Sequence, residues 1–492
     1  MAKSLINIKV VANVIGTLII ISGFLMACAI PVSYYYQEPA IYPLIISSAI
    51  TIVCGLVLKL YTRKSEDAEI KKREGYLIVA LGWISMAIFG SLPYIISGAI
   101  PNIANAFFET VSGLTTTGAS ILNNIEEIPK GILFWRSLTQ WIGGMGIIVL
   151  TIAILPLLGV GGMELFASEA PGPTKDKIHP RIKETAKRLW FIYVGLTLIE
   201  AILLMYPGGM NLFDAVNHSL TTMSTGGFST KQASIAYYNS AIIDYIIIIF
   251  MFIAGTNFTL LYFGFKFKFK KFWENDEFKW YFGTILLLTL VVVPSVMVAQ
   301  SGLNLGFEKS FRDALFQVTS IITTTGFASA DFTTWGAFVT FLFFLLLFTG
   351  ASAGSTSGGM KLVRIVLLMK NGFLEFKRRL HPNAVVPVHL NGQGVPNTII
   401  YNLLAFVFLY LSTFVIGSLV VTFLGVEFME AVSAVATSIG NVGPGIGSIG
   451  PSHSFSHLPD SSKWVLSILM LMGRLELFTI AILFTPYFWK RN

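Results

Sequence analysis

Hydroxyl and amide side chains stand beside a glycine in four widely separated segments of this 492-residue chain. Each segment opens with Asn, Asp or Glu followed by alanine, and a glycine follows thirteen residues later. The segments open at Asn105, Asp214, Asp313 and Glu430, and their glycines are Gly118, Gly227, Gly326 and Gly443. Two residues before each glycine stand Thr116, Thr225, Thr324 and Asn441. The glycines are 109, 99 and 117 residues apart, which indicates a repeat of about a hundred residues.

This pattern suits the coordination of a cation by backbone oxygens. Glycine adopts positive φ, so successive carbonyl groups can turn toward one axis, and rings of carbonyls replace the hydration shell of an ion in selective pores. The opening acid or amide can cap a helix start or complement its positive end. About eleven residues of helix span only ~16 Å, roughly half a bilayer. The sequence therefore predicts a half-helix, after which the chain returns to the side of the membrane from which it entered. The carboxyl end of this helix adds negative potential beside the glycine.

Small-residue contacts between packed helices are the alternative interpretation of these glycines. That interpretation explains single glycines, but it does not explain four segments in one register with a leading acid or amide. We therefore favour four pore loops.

The elements that must position these loops are membrane-spanning helices. The chain is 54% hydrophobic and 12% charged, with a mean hydropathy of +0.72, whereas soluble domains carry about 25% charged residues. Apolar runs long enough to cross a ~30 Å hydrocarbon core recur near residues 6–30, 41–60, 75–98, 134–158, 189–206, 241–265, 280–300, 336–370, 398–424 and 464–488. We expect an integral membrane protein with ten spans.

The N-terminus resembles a secretion signal, because lysines precede an apolar run that ends at Cys28. The run exceeds the ~7–15 residues of a signal core, so we expect an uncleaved span. The two cysteines, Cys28 and Cys54, both lie in apolar runs and imply no disulfide framework.

Lysine and arginine alternate between loops, which sets the orientation. The basic segments are 61–74, 165–188, 266–279 and 370–379, and the loops between them are nearly free of basic residues. We predict that both termini are cytoplasmic. The net charge of +8 then reports membrane orientation, and no nucleic-acid surface is expected.

Repeated helix–pore loop–helix units with one filter glycine each resemble the TrkH/TrkG/KtrB/HKT superfamily of potassium transporters. The resemblance covers essentially the whole chain, and the N-terminal hairpin and the threonine-rich loops are similar to the TrkH/TrkG branch. It implies an all-α polytopic membrane protein with four repeats in pseudo-fourfold arrangement around one pore. The expected segments are a hairpin at 1–62 and repeats at 63–164, 165–271, 272–380 and 381–492.

By this similarity, potassium is the transported ion, and no organic cofactor is expected in this chain. The implied filter sites are Thr116, Thr117 and Gly118; Thr225, Gly226 and Gly227; Thr324, Thr325 and Gly326; and Asn441, Val442 and Gly443. The fourth loop departs from the others because Asn441 and Val442 replace threonine or glycine and Pro444 follows.

The run at 336–370 is interrupted by "ASAGSTSGG", which cannot remain regular helix at mid-membrane depth. It is not a phosphate-binding loop, since the Gly-Lys-Ser/Thr ending is absent. In the resembled family a loop at this place obstructs the pore below the filter, so Gly350, Gly354, Gly358 and Gly359 are gate candidates. We expect this glycine-rich stretch to be mobile.

Arg474 is the other gate candidate, because it lies about ten apolar residues from either end of the last predicted span. A buried guanidinium is costly and usually functional, and the family carries an arginine that projects into the pore. The alternative is a structural pair with Glu476 or a backbone carbonyl. Lys361 and Arg364 could tune conduction or extend toward the cytoplasmic interface.

The sequence thus predicts potassium uptake across a bacterial inner membrane. The resemblance implies a homodimer in the lipid bilayer, regulated by a cytosolic TrkA-like subunit that binds nucleotides or NAD. A sodium- or proton-coupled symporter is an open alternative. An intramembrane enzyme is the other, but the paired catalytic carboxylates or metal-ligand motifs that it needs are not found. We interpret His453 and His457 as solvated residues of an outer loop and not as metal ligands, and His218 as a packing residue or hydrogen-bond donor.

Overall fold

The computed structural model describes residues 6–63, 70–149, 178–300 and 306–490. An N-terminal hairpin consists of helices Ile8–Ala27 and Ile41–Thr62 with a short helix, Ile30–Tyr35, between them. Small residues bring its helices together: Ser48 Oγ donates to the Gly23 carbonyl at 2.8 Å, and a Cβ at Gly16 would lie 3.0 Å from the Gly55 carbonyl oxygen. Close backbone approach of this kind is the usual packing mode within membranes.

After the hairpin, one order of elements occurs four times: a long helix, a short helix, a glycine turn, a 3₁₀ helix and a second helix. We name these units repeats 1 to 4 and their short helices pore helices 1 to 4. The long helices are Lys72–Gly90 (followed by Leu92–Ile96), Ile178–Met205, Asp276–Ala299 and Asn397–Phe423. The pore helices are Ile103–Leu114, Leu212–Met223, Phe307–Ile322 and Phe428–Gly440.

The 3₁₀ helices are Ile125–Glu127, Ser234–Tyr238, Phe332–Trp335 and Gly447–Ile449. The second helices are Lys130–Val149, Ala241–Ala254, Ala337–Leu346 and Asp460–Arg474. Additional helices are Phe258–Phe265, Lys270–Glu274, Leu362–Leu380, Leu477–Ala481, Ile482–Phe484 (3₁₀) and Pro486–Trp489. A small antiparallel hairpin pairs Val388–Leu390 with Gln393–Val395.

Within the described residues, 6 helices are long and apolar enough to cross a membrane, and 8 if each of two bent pairs is one span. The other two predicted spans are the one near 134–158, described only to Val149, and the interrupted one at 336–370. The prediction of an all-α polytopic membrane protein is confirmed. The boundaries of the five predicted segments remain predictions, and the basic stretch 165–177 lies outside the described residues.

The two bent pairs differ from the continuous helices that the sequence predicts at 241–265 and 464–488. Ala241–Ala254 and Phe258–Phe265 meet at 109°, and Asp460–Arg474 and Leu477–Phe484 meet at 116°. Asn257 begins a new helix at the first bend by accepting from the Thr259 N–H at 2.7 Å. Glu476 has φ of 64° at the second, which α-helix does not allow. The predicted break in 336–370 is present between Leu346 and Leu362.

None of the four predicted residues, Asn105, Asp214, Asp313 and Glu430, is the capping residue of its pore helix. Asn102 and Asn211 are the capping residues, and their side chains accept from the N–H groups of Asn105 and Asp214 at 3.0 and 2.9 Å. Asp214 and Glu430 lie in the first helical turn, where a carboxylate still complements the positive helix end. Asp313 lies in the second turn, because pore helix 3 begins early, at Phe307. The capping position lies three residues before the predicted one in pore helices 1, 2 and 4, at Asn102, Asn211 and Glu427, and seven residues before it in pore helix 3, at Gly306.

Candidate ion site at the glycine turns

The four pore helices end in the same hydrogen-bonded turn. The N–H groups of Thr117, Gly226, Thr325 and Val442 donate to carbonyls five residues earlier, at 2.9, 2.9, 2.8 and 3.1 Å. The N–H one residue before each of these donates to a carbonyl three residues earlier, at 2.8–3.3 Å. This is the Schellman pattern of helix ends. Because the amide groups point back into the helix, the carbonyls of the turn are available for other partners.

The residue that reverses the chain in each turn carries a side chain, although this position usually holds glycine. Thr116, Thr225 and Thr324 have φ of 52°, 55° and 56°, and Asn441 has 53°. Positive φ is a genuine outlier for a β-branched residue. The glycines that follow also have positive φ, namely 82° at Gly118, 76° at Gly227, 81° at Gly326 and 105° at Gly443. The predicted glycine conformation is therefore observed, and the threonine strain is an addition that the sequence did not predict.

The four turns meet in cyclic order. A Cβ on Gly118 would overlap the Gly226 carbonyl oxygen, and one on Gly227 would overlap the Thr325 oxygen. A Cβ on Gly326 would overlap the Val442 oxygen, and one on Gly443 would lie 2.6 Å from the Thr117 oxygen. Each of these glycines thus faces the carbonyl that precedes the glycine of the next repeat. The chain of contacts closes from repeat 4 to repeat 1, so the four turns surround one axis.

The four turns are not identical, because the side chains of Gln140 and Asn441 make contacts in the second and fourth turns that the other turns lack. Gln140 Nε2 donates to the Gly226 carbonyl at 2.6 Å, and its Oε1 accepts from the Phe228 N–H at 3.0 Å. Any side chain at position 226 would overlap Gln140, which explains glycine there. In the fourth turn, Asn441 Nδ2 donates to Thr117 Oγ1 and to the Met470 carbonyl, both at 2.9 Å.

Polar side chains inside the pore helices brace the turns from behind. Glu109 accepts from Ser120 Oγ and from the Ile121 N–H, both at 2.9 Å, and forms a buried ion pair with Arg136 at 2.7 Å. Arg136 also donates to the Ser229 carbonyl of repeat 2 at 3.0 Å. It therefore links the first two turns.

The equivalent positions of repeats 2 and 3 act in the same way. His218 bonds Ser229 Oγ at 2.9 Å, in agreement with its predicted hydrogen-bonding role, and Gln317 donates to the Ala330 carbonyl at 3.0 Å. Like Glu109, both stand nine residues before the glycine of their turn. Sequence reasoning missed this bracing set, although its fixed offset from the glycines was a usable signal.

An open cavity lies on one side of the ring. The glycines of all four turns line it, together with residues of the following loops such as Ser120, Gln232, Pro444 and His453. His453 and His457 are both exposed, in agreement with the prediction, and His457 also contacts Glu430. Among the described residues, no group of three or more His, Cys, Asp or Glu side chains could hold a metal ion.

The interruption at 347–361 is a closed, docked loop, which we call the intramembrane loop. Backbone hydrogen bonds join the beginning and the end of the loop: the Gly350 N–H donates to the Met360 carbonyl at 2.8 Å, and the Leu362 N–H donates to the Ala351 carbonyl at 3.1 Å. Positive φ at Gly354 (71°) and Gly359 (61°) shapes it, and a Cβ at Gly350 would overlap the Gly358 carbonyl.

The loop is bonded to the glycine turn of its own repeat and to the end of pore helix 2. The Gly358 N–H donates to Thr324 Oγ1 at 2.7 Å, and Thr356 Oγ1 donates to the Met223 carbonyl at the end of pore helix 2 at 3.1 Å. The bend of repeat 2 holds the loop's other side: Asn257 Nδ2 donates to the Ala353 carbonyl at 2.8 Å, and the Phe258 N–H donates to the Gly354 carbonyl at 3.0 Å. In this arrangement the loop is docked against the candidate ion site, and its mobility stays a prediction.

Arg474 joins the intramembrane loop to repeat 1. It is 3% exposed, and its guanidinium donates to the Thr356 carbonyl at 2.7 Å and to the Gly143 carbonyl at 3.1 Å. The alternative pair with Glu476 is not formed, since Glu476 pairs with Arg364 at 2.7 Å. The backbone-carbonyl alternative is observed, but one of these carbonyls belongs to the other gate candidate. Lys361 likewise turns back to the loop and donates to Ser357.

Comparisons with known proteins agree with this architecture. The family model for TrkH, described as a cation transport protein, matches residues 43–491. The chain is 40% identical over 486 residues to the Trk system potassium uptake protein TrkH of Vibrio parahaemolyticus, covering 98% of this chain and 99% of that protein. It is 33% identical over 487 residues to the Trk system potassium uptake protein TrkG of Escherichia coli, covering 98% of this chain and 99% of that protein.

A solved structure shows the same fold. The crystal structure of the potassium transporter TrkH from Vibrio parahaemolyticus superimposes with a TM-score of 0.89 at 38% identity, over 98% of this chain and 100% of that one. The predicted resemblance is thereby confirmed, and the chain belongs to the TrkH family of cation transport proteins.

Proposed function

We propose that this chain mediates potassium uptake across the inner membrane of a bacterium, through a pore whose selective element is the ring of turns. The observation that carries the proposal is the cyclic contact in which each filter glycine faces a carbonyl of the next repeat. Carbonyl oxygens around one axis replace the hydration shell of a potassium ion. The negative ends of four pore helices converge there and favour a cation. The uptake function in the relatives' names supports the choice of ion.

The intramembrane loop and Arg474 are proposed as the gate of this pore. The loop bonds directly to Thr324 of the filter, and Arg474 adds a fixed positive charge that holds the loop in place. A potassium ion passing the filter would then meet a steric and an electrostatic obstacle. Opening requires the loop to leave its docked position, which is a transition between two discrete arrangements.

A cytosolic TrkA-like subunit that binds nucleotides or NAD is the proposed controller, and a homodimer is the proposed assembly. The relatives are named as parts of a Trk system, which supports a partner in general. The helix Leu362–Leu380 continues directly from the intramembrane loop, and its C-terminal half, with Lys377 and Arg379 exposed, gives such a partner a contact surface through which it could move the gate.

The test is potassium uptake in cells that lack their own uptake systems, comparing Gly326→Ala with Gly283→Ala. At Gly326 a Cβ would overlap the Val442 carbonyl, whereas at Gly283, in a membrane helix, it would meet nothing within 4 Å. We expect Gly326→Ala to lose selective uptake while remaining in the membrane, and Gly283→Ala to behave as wild type. Unchanged potassium-over-sodium discrimination in Gly326→Ala would refute the filter.

Reversal potentials separate a pore from a coupled symporter. With purified protein in a planar bilayer, a pore gives a reversal potential that follows the potassium gradient alone. A symporter gives a reversal potential that shifts when a sodium or proton gradient is imposed at constant potassium. Such a shift would refute the channel-like part of the proposal.

A further inference from the structure

A carboxyl group outside the candidate ion site lies buried in an apolar helix. Glu200 interrupts the run "LTLIEAILLM" in the helix Ile178–Met205. The residue is 0% exposed, and neither carboxyl oxygen has a hydrogen-bond partner. Neither gating nor filtration as proposed above uses this group.

No basic side chain of the neighbouring described helices neutralises Glu200. The helices packed against Ile178–Met205 are Lys130–Val149, pore helix 2, Ala241–Ala254 and Phe258–Phe265. Their charged groups and histidine have other contacts: Lys130 with Tyr36, Arg136 with Glu109, Asp214 with Thr230, His218 with Ser229, and Asp244 with Arg312. Tyr193, on Glu200's own helix, donates to the Trp141 carbonyl at 3.0 Å. An ionised carboxylate here would be an unpaired buried charge, which is strongly unfavourable.

The polar side chain next to the Glu200 carboxyl indicates whether the group is a carboxylate or a neutral acid. Thr222, in the last turn of pore helix 2, is the side chain next to it. The Thr222 hydroxyl already donates its proton to the His218 carbonyl at 2.7 Å. It can therefore accept a hydrogen bond but has no proton left to donate. A carboxylate only accepts, whereas a carboxylic acid carries an O–H donor, so the neutral acid alone matches Thr222.

A bound metal cation is the other way to neutralise the group, and the surroundings do not suit it. Hard cations in proteins take several oxygen ligands, whereas in the described part of the chain no group of three or more His, Cys, Asp or Glu side chains could hold a metal ion. We propose that Glu200 is a proton-binding site behind pore helix 2, held as a neutral acid beside Thr222. Thr222 stands three residues before Thr225, so the bound proton lies next to the second filter turn.

Infrared difference spectroscopy of the full-length protein tests the site directly. The spectrum of wild type minus Glu200→Gln at neutral pH should contain the C=O stretch of a protonated carboxylic acid. Glu109→Gln is the matched control, because Glu109 is equally buried but paired with Arg136, and its difference spectrum should show carboxylate bands. Thr222→Val should shift the acid band, since it removes the hydroxyl beside the acid. Carboxylate bands for Glu200, or bands that change when choline replaces sodium and potassium, would overturn the proposal in favour of an ionised or cation-binding group.

A second measurement uses wild-type protein alone, in case Glu200→Gln does not fold. Dicyclohexylcarbodiimide is apolar and reacts with protonated carboxyls, so brief treatment in lipid vesicles followed by mass spectrometry should place the adduct on Glu200. Modification of Glu109 with an unmodified Glu200 would contradict the assignment. Both measurements report the protonation of one residue and stand whether or not the pore conducts potassium.

Discussion

At the scale of single residues, the filter turns hold side chains in a conformation that they resist. A non-glycine residue in the left-handed region costs about 1–3 kcal/mol and persists only where the surroundings enforce it. Here the helix-end hydrogen bonds enforce it at Thr116, Thr225 and Thr324. The hydroxyl is useful in return: Thr324 Oγ1 accepts from the intramembrane loop at 2.7 Å. Strain repeated at one position of each turn is what a functional site, and not simple packing, would show.

Arg474→Ala is expected to raise potassium flux severalfold in the absence of any cytosolic subunit. The substitution removes two hydrogen bonds, to the Thr356 and Gly143 carbonyls, and a positive charge beside the proposed path. At an effective dielectric of about 20, like unit charges about 4 Å apart repel by about 4 kcal/mol. Selectivity should change little, because the filter turns are untouched. Single-channel recording of purified protein measures both quantities.

Arg474→Lys separates the two contributions, because it keeps the charge but cannot reproduce the planar two-carbonyl contact. We expect an intermediate flux. If both variants conduct like wild type without the subunit, Arg474 is not part of the barrier.

At the scale of elements, two features that looked separate in the sequence form one unit. The bend between Ala254 and Phe258 in repeat 2 exposes backbone groups that a straight helix would have satisfied internally. The intramembrane loop of repeat 3 uses them: the Ser352 N–H donates to the Gly255 carbonyl at 3.1 Å, and the Phe258 N–H donates to the Gly354 carbonyl at 3.0 Å. Glu277 adds a further bond to the Ala353 N–H at 2.7 Å. The bend is thus the docking site of the proposed gate.

Asn257→Asp should loosen this dock and raise basal potassium flux without unfolding the bend. The carboxylate still accepts from the Thr259 N–H and caps the helix. It can no longer donate to the Ala353 carbonyl, now 2.8 Å from the amide nitrogen, and it repels that oxygen. Flux into lipid vesicles, measured without a cytosolic subunit, reports the result.

Asn275→Asp is the matched control, since Asn275 also caps a helix, accepting from the Phe278 N–H at 2.9 Å. It should leave flux unchanged. Equal fluxes in the two variants and wild type would mean that the dock does not hold the gate closed.

At the scale of the whole molecule, orientation follows from charge. The predicted outer loops around the filter cavity carry few basic residues, whereas lysines cluster near 266–279 and lysines and arginines near 370–379. Cytoplasmic loops carry the lysine and arginine excess in membrane proteins. The filter cavity should therefore face outward and the intramembrane loop should lie on the cytoplasmic side of the filter.

Single cysteines test this topology in a background that lacks Cys28 and Cys54. Cysteines at the exposed positions Glu127, Ala233 and Ser452 should react in intact cells with a thiol reagent that cannot cross the membrane. Cysteines at the exposed positions Lys72 and Lys271 should react only after the cells are opened. The reverse pattern would invert the orientation.

The sequence by itself determined the class of molecule and the place of the turns. Hydropathy required membrane helices, because exposed backbone is not tolerated in lipid, and the register of the four glycines located the turns. The positive φ at Gly118, Gly227, Gly326 and Gly443 follows from residue type, since glycine is the residue least hindered there. Arg474 was recognisable because a charge in an apolar run is expensive and needs a reason.

Only the tertiary structure decided which atoms meet. The partner of Arg474 is a carbonyl 118 residues away in the chain, and Gln140 reaches the turn of repeat 2 across 86 residues. Such contacts depend on how the repeats pack, and no local pattern encodes them. The bend at Gly255–Asn257 was also hidden, because its cost is compensated by the docked loop of another repeat. The unpaired carboxyl of Glu200 required the fold as well, since burial by neighbouring helices, and not residue type, removed its partners.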